Sequence, residues 1–158
     1  MTTKALIELC RNTATKLNID ADLAVAICGQ ESSYCPSSVR YETNWSYLCQ
    51  VEKFSKLLGI TYESEFQLQK FSWGPMQVMG SVARELGFKG HLTELVQPEN
   101  GLFYGCEKLR ILSVKYPDIQ DVISSYNGGS PVKIDGNYRN RNYVEAVKKR
   151  IALLKAVH

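Results

Sequence analysis

Leu23-Ala24-Val25-Ala26-Ile27-Cys28-Gly29-Gln30 is an apolar helical stretch that ends in Glu31, where a solvated carboxylate has no evident reason to sit. Read at helical spacing, Leu23, Ala24, Ile27, Cys28 and Glu31 fall on one stripe, so the acid continues the face that must point into the protein. Burial disfavours a charged carboxylate. The unpaired carbonyls at a helix C-terminus carry partial negative charge, so both effects push the Glu31 pKa upward. A carboxyl group still protonated near neutrality is what general acid catalysis requires. A lone glutamate more often caps the surface end of a helix, and that reading stands until other segments are considered.

The remaining pattern is almost entirely helical. Periodicity and capping residues predict helices over 4–17, 20–31 with Asp20 as cap, 51–58, 77–86, 98–115 with proline in its first turn, 119–126 and 143–157. Apolar residues recur at three and four in the last of these, as Val144, Val147, Ile151 and Leu154. Tyr41, Trp45 and Tyr47 alternate with polar residues, which predicts a short hairpin in the 32–50 region. With 158 residues the chain can build one core but not two comfortable ones, so residues 1–158 are read as a single domain. Hydrophobic residues at 44% and charged residues at 22% are ordinary for a soluble globular domain, and no apolar run reaches the length of about 20 residues that spans a bilayer.

Two further segments carry chemistry. Ser72-Trp73-Gly74-Pro75-Met76-Gln77-Val78-Met79 is a glycine turn lined with apolar and amide side chains, and Ser124-Ser125-Tyr126-Asn127-Gly128-Gly129 ends a helix. Together with Glu31-Ser32 and with Tyr143-Val144 near the start of the last helix, they stand in the order of a known signature. In this the chain resembles the lytic transglycosylases of the soluble, goose-type-lysozyme-like superfamily, over most of its length. The resemblance implies a mainly α, lysozyme-like fold. It implies an enzyme without cofactor or metal that cleaves the bond between N-acetylmuramic acid and N-acetylglucosamine in peptidoglycan and leaves a 1,6-anhydro sugar. Glu31 then acts as acid and afterwards as base. Gln77 and Met79 would line the sugar groove, with the amide bonding an acetamido or hydroxyl group. Tyr126 and Asn127 would face the same centre, the phenol close enough to hydrogen-bond Glu31, and Tyr143 would close the rim.

The chain departs from the family pattern in three places. Pro75 stands where leucine is usual, the interval from Glu31 to Gly74 is long enough to hold an extra helix over 51–58, and the stretch just before Tyr143, Tyr138-Arg139-Asn140-Arg141-Asn142, holds no acid. Glu42, in the loop expected to border the cleft, is either a surface partner of Arg40 or a second carboxylate and substrate contact, which would make the enzyme a hydrolytic muramidase. A non-catalytic wall-binding module is a further alternative. Glu63, Glu65, Asp118 and Asp135 read as solvated or capping positions, and His91 and His158 offer no zinc site or Ser-His-Asp triad. A net charge of +3, from 19 basic and 16 acidic side chains, and a basic last helix weigh only weakly toward nucleic acid. The expected partner is therefore the glycan strand, met by a monomer with no stable membrane insertion. An amphipathic N-terminus in place of a signal peptide and five cysteines in no metal-like spacing suggest folding in a cytoplasm. Such a protein would be phage or prophage encoded and reach the wall through holin lesions or on the virion.

Overall fold

The computed structural model describes residues 1–156. Its helices are α1 (Thr3–Lys16), α2 (Ala21–Ser32), α3 (Val51–Leu58), α4 (Tyr62–Leu68), α5 (Gly80–Glu85), α6 (Pro98–Lys115), α7 (Ile119–Gly128) and α8 (Arg141–Lys155). Five short strands join them: β1 (Val39–Tyr41), β2 (Phe71–Trp73), β3 (Val78–Met79), β4 (Lys133–Ile134) and β5 (Asn137–Tyr138). The result is a mainly α, lysozyme-like domain. The end of the helix predicted over 143–157 falls on Val157, which with His158 lies outside the described residues.

The centre of the fold is α2. Asp20 starts it by accepting hydrogen bonds from the backbone N–H groups of Asp22 and Leu23, filling two of the donors a helix start leaves open. Every residue from Leu23 to Gly29 is buried, because α1 covers one side and α8 another. Leu6, Cys10 and Ala14 of α1, Leu102, Cys106 and Leu109 of α6, and Val144 and Val147 of α8 complete the core around it. Full burial of a Leu, Ile or Val contributes about 1.5–3 kcal/mol, so this interface dominates the folding energy. All five cysteines are unpaired, and Cys10, Cys28 and Cys106 act here as small apolar core residues. No helix among the described residues is long and apolar enough to cross a membrane.

The β structure differs from the expected local hairpin. β1 does lie in the 32–50 region, but it pairs antiparallel with β2, Val39 opposite Trp73 and Tyr41 opposite Phe71. β2 then pairs with β3 through the glycine turn, which shortens the helix expected from Gln77 to Gly80–Glu85. The cause is backbone conformation: Gly74 and Gln77 both have positive φ, 72° and 49°, which no α-helix accommodates. Glycine is required at position 74 twice over, since a Cβ there would also lie 2.2 Å from the Leu95 carbonyl oxygen.

Residues 42–70 form an insert with its own small interior. Cys49, Val51 and Phe54 are buried outside the main core, and polar contacts hold them. Glu65, expected to be solvated or capping, is instead fully buried and grips Arg84 of α5, with Arg84 Nε 2.8 Å from Oε1 and Nη2 3.0 Å from Oε2. Arg84 also donates to the carbonyls of Phe88 and Gly90 and stacks on the Phe54 ring, 4.4 Å from its centroid. Gln69 donates to Glu65 and clasps Cys49 at both its N–H and its C=O. Every polar group in this cluster has a partner, the condition under which a buried ion pair is tolerated.

Candidate active site

α2 ends abruptly. Ser33 and Tyr34 take left-handed conformations, φ 52° and 63°, which turn the chain away and leave Glu31 in the last helical turn beside a cleft of about 380 Å³. Ser32 Oγ donates to the carbonyl of Pro75 at 2.7 Å, and Tyr126 Oη donates to the carbonyl of Met76 at 2.8 Å. Two consecutive carbonyls of the glycine turn are thus held by α2 and by α7. This gives the Glu-Ser pair and the Tyr-Asn pair a shared physical purpose: they fix the cleft floor against the helix that carries the acid.

The hydroxyl of Tyr143 donates to Glu31 Oε1 at 2.6 Å. Here the structure corrects the sequence reading, which gave the contact to Tyr126 and the rim to Tyr143. The packing of α8 directly on α2 brings Tyr143 to the carboxyl group, while Tyr126 is spent on Met76. Burial raises the Glu31 pKa above the ordinary glutamate range; the Tyr143 hydrogen bond and the charges of Lys108 and Arg40 oppose this in part, and Glu42 adds to it. The direction agrees with the sequence expectation.

Gln77 lines the cleft, yet its amide is fully engaged by the protein. Nε2 donates to the carbonyls of Ser38 at 3.0 Å and Gly74 at 2.9 Å, and Oε1 accepts from Ser72 Oγ at 2.9 Å. The sugar contact expected of that amide is replaced by a brace joining the residue before β1, β2 and the turn, which also explains how Gln77 holds a positive φ. Met79 lies in the cleft wall, almost buried. Asn127 is exposed at the end of α7, where its Oδ1 accepts from Asn140 Nδ2 at 3.0 Å. Asn140 is itself fixed by Ser124, so the Asn127 side chain is oriented through its Oδ1. Of the two readings of Glu42, the structure shows the partnership with Arg40. It pairs with Arg40 at 2.6 Å, and both residues line the cleft.

Sequence reasoning missed Lys108, Trp45, Ser72 and Asn140. Lys108 was discoverable: it falls on the same stripe of α6 as Gly101, Gly105 and Leu112, a charge on an inward face just as Glu31 is. Its Nζ donates to the Tyr126 carbonyl at 2.7 Å and lies 4.1 Å from that ring's centroid. Burial pushes its pKa down to about 8. No carboxylate pairs with Lys108 among the described residues, so its charge acts on Glu31 across the cleft. Replacing it, as Lys108→Met, removes a charge that favours the Glu31 carboxylate. The acid is then weaker, and the alkaline limb of the kcat against pH curve is expected to move to higher pH. An unmoved limb in a variant of unchanged melting temperature would remove Lys108 from the electrostatics of the site.

A helical domain with a half-buried acid of raised pKa at the edge of a cleft is the arrangement of the lysozyme-like class of glycan-cleaving proteins. The sequence matches the Transglycosylase SLT domain over residues 8–149, and the chain belongs to that family. Membership supports a lytic transglycosylase, with peptidoglycan as substrate and the cell wall as its place of action. No curated protein and no solved structure matches the chain.

Proposed function

We propose that this protein cleaves the β-1,4 bond between N-acetylmuramic acid and N-acetylglucosamine by internal transfer, forming a 1,6-anhydro end, with Glu31 serving both proton transfers. The observation that carries the reading is the half-buried carboxyl group of Glu31, raised in pKa and held by Tyr143, at the edge of a cleft. Because Tyr143 donates to Oε1, the acidic proton sits on Oε2. That proton passes to the glycosidic oxygen as the bond to C1 breaks, and the substrate's acetamido oxygen covers the positive charge on C1. Asn127, oriented by Asn140, is placed to hold that acetamido group. Glu31, now a carboxylate stabilised by Tyr143 and Lys108, takes the proton of the C6 hydroxyl as its oxygen attacks C1 and displaces the acetamido oxygen. Glu31 ends protonated and no water is consumed.

Glu42 favours a second reading, a hydrolase in which this carboxylate directs water onto C1. Its engagement with Arg40 argues for a substrate-contacting ion pair in the cleft wall instead. Digestion of peptidoglycan in heavy-oxygen water separates the two. The proposed transfer yields products free of solvent oxygen, whereas heavy oxygen at the new reducing ends, lost in Glu42→Gln, would establish the hydrolase.

A further inference from the structure

Trp45 lies in the irregular stretch after β1, within the insert, and lines the same cleft as Glu31. Three independent anchors fix it there. Its indole Nε1–H donates to Ser81 Oγ at 2.8 Å, and Ser81 is fully buried in α5. Its own N–H donates to the Glu42 carbonyl at 3.1 Å, closing a turn directly after the Arg40–Glu42 pair. Tyr47 packs edge-on against it, with ring centroids 6.5 Å apart at 85°. The far end of the loop is clamped at Cys49 by Gln69, which is tied in turn to Glu65 and Arg84. The buried ionic cluster of the insert thus has an external effect: it rigidifies the loop that presents a half-exposed indole to the cleft.

An indole whose N–H is satisfied by the protein has only its apolar ring left to offer a ligand, and a large aromatic surface in an open cleft is costly to leave wet. β-1,4-linked N-acetylhexosamines carry their bulky substituents around the ring edge and present C–H groups on both faces. Such a face matches a fixed aromatic plane. We propose that Trp45 is a sugar-stacking platform, an N-acetylhexosamine subsite carried by the insert and held in place by Ser81 and by the Glu65–Arg84–Gln69 cluster. The inference rests on the peptidoglycan reading above and adds a binding position to it. The platform aligns the strand so that the scissile bond meets Glu31.

The test uses the full chain carrying Glu31→Gln, to prevent turnover, and soluble glycan strands stripped of peptide. Trp73 is buried, so Trp45 is the indole whose fluorescence a bound sugar can change. The parent is expected to show a saturable spectral change. Trp45→Ala is expected to bind at least about tenfold more weakly by calorimetry. Trp45→Phe, which keeps an aromatic face, should recover most of the affinity while losing the spectral change. Melting temperatures of all three proteins guard against loss of fold. Binding by a folded Trp45→Ala within about twofold of the parent would overturn the platform and leave the proposed function standing. Absence of glycan binding in the parent would overturn both.

Discussion

Glu31→Gln is expected to lower kcat on peptidoglycan by about a hundred- to ten-thousandfold, the usual contribution of a positioned acid–base group. The substitution keeps shape and removes the titrating proton. Tyr143 still has an oxygen to donate to, so the cleft should persist and KM should change little, because the lost interaction belongs to the transition state. The same variant has a stability signature. The Glu31 pKa is raised in the folded protein, so the folded state holds its proton more tightly than the unfolded chain does. Stability from this group is complete at pH below the ordinary glutamate value and falls as pH rises through the folded value. Glutamine carries no such dependence. Glu31→Gln should therefore melt above the wild type near neutrality, with the difference vanishing in acid. A variant that melts below the wild type at neutral pH would mean that the carboxylate stabilises the fold and is not a strained acid.

Arg84→Ala is the largest expected stability loss in the molecule. Arg84 and Glu65 each have 0% side-chain exposure, so the substitution strands a carboxylate in the interior and leaves the Phe88 and Gly90 carbonyls without their donor. Breaking a buried pair from one side costs about 3–5 kcal/mol. In a chain of this size each kcal/mol lowers Tm by about 2–4 °C, which places the loss between about 6 and 20 °C. Replacing both partners with apolar residues, as Glu65→Leu with Arg84→Met, should recover much of this, since the desolvated charges leave together. Activity need not recover with stability, because Gln69 would lose its Glu65 contact and with it part of its hold on the loop bearing Trp45. Thermal denaturation of Arg84→Ala within about 1 °C of the wild type would show the pair to be energetically idle.

The helices were legible where local chemistry decides them. Asp20 and Asp118 cap as their positions suggest, Pro98 opens α6, and the apolar run of α2 is buried at every turn. Legibility failed where partners lie far apart in sequence. Glu63 and Glu65 share the first turn of α4 and look alike, yet only Glu65 meets Arg84, a residue 19 positions away that nothing local announces. Tyr126 and Tyr143 both sit in recognisable motifs, and which of them reaches Glu31 depends on α8 packing against α2. The motif around Gln77 implies a groove and so points its amide outward. The positive φ of the turn it braces turns it inward instead. The pKa direction of Glu31 was readable because it follows from a carboxylate on an apolar stripe, a purely local fact.

The most direct test of the central claim is mass spectrometry of the fragments released from purified peptidoglycan by the wild type and by Glu31→Gln. Anhydro-terminated fragments from the wild type, lost in the variant, are the predicted result. Hydrated reducing ends, or anhydro ends formed equally well by Glu31→Gln, would contradict it.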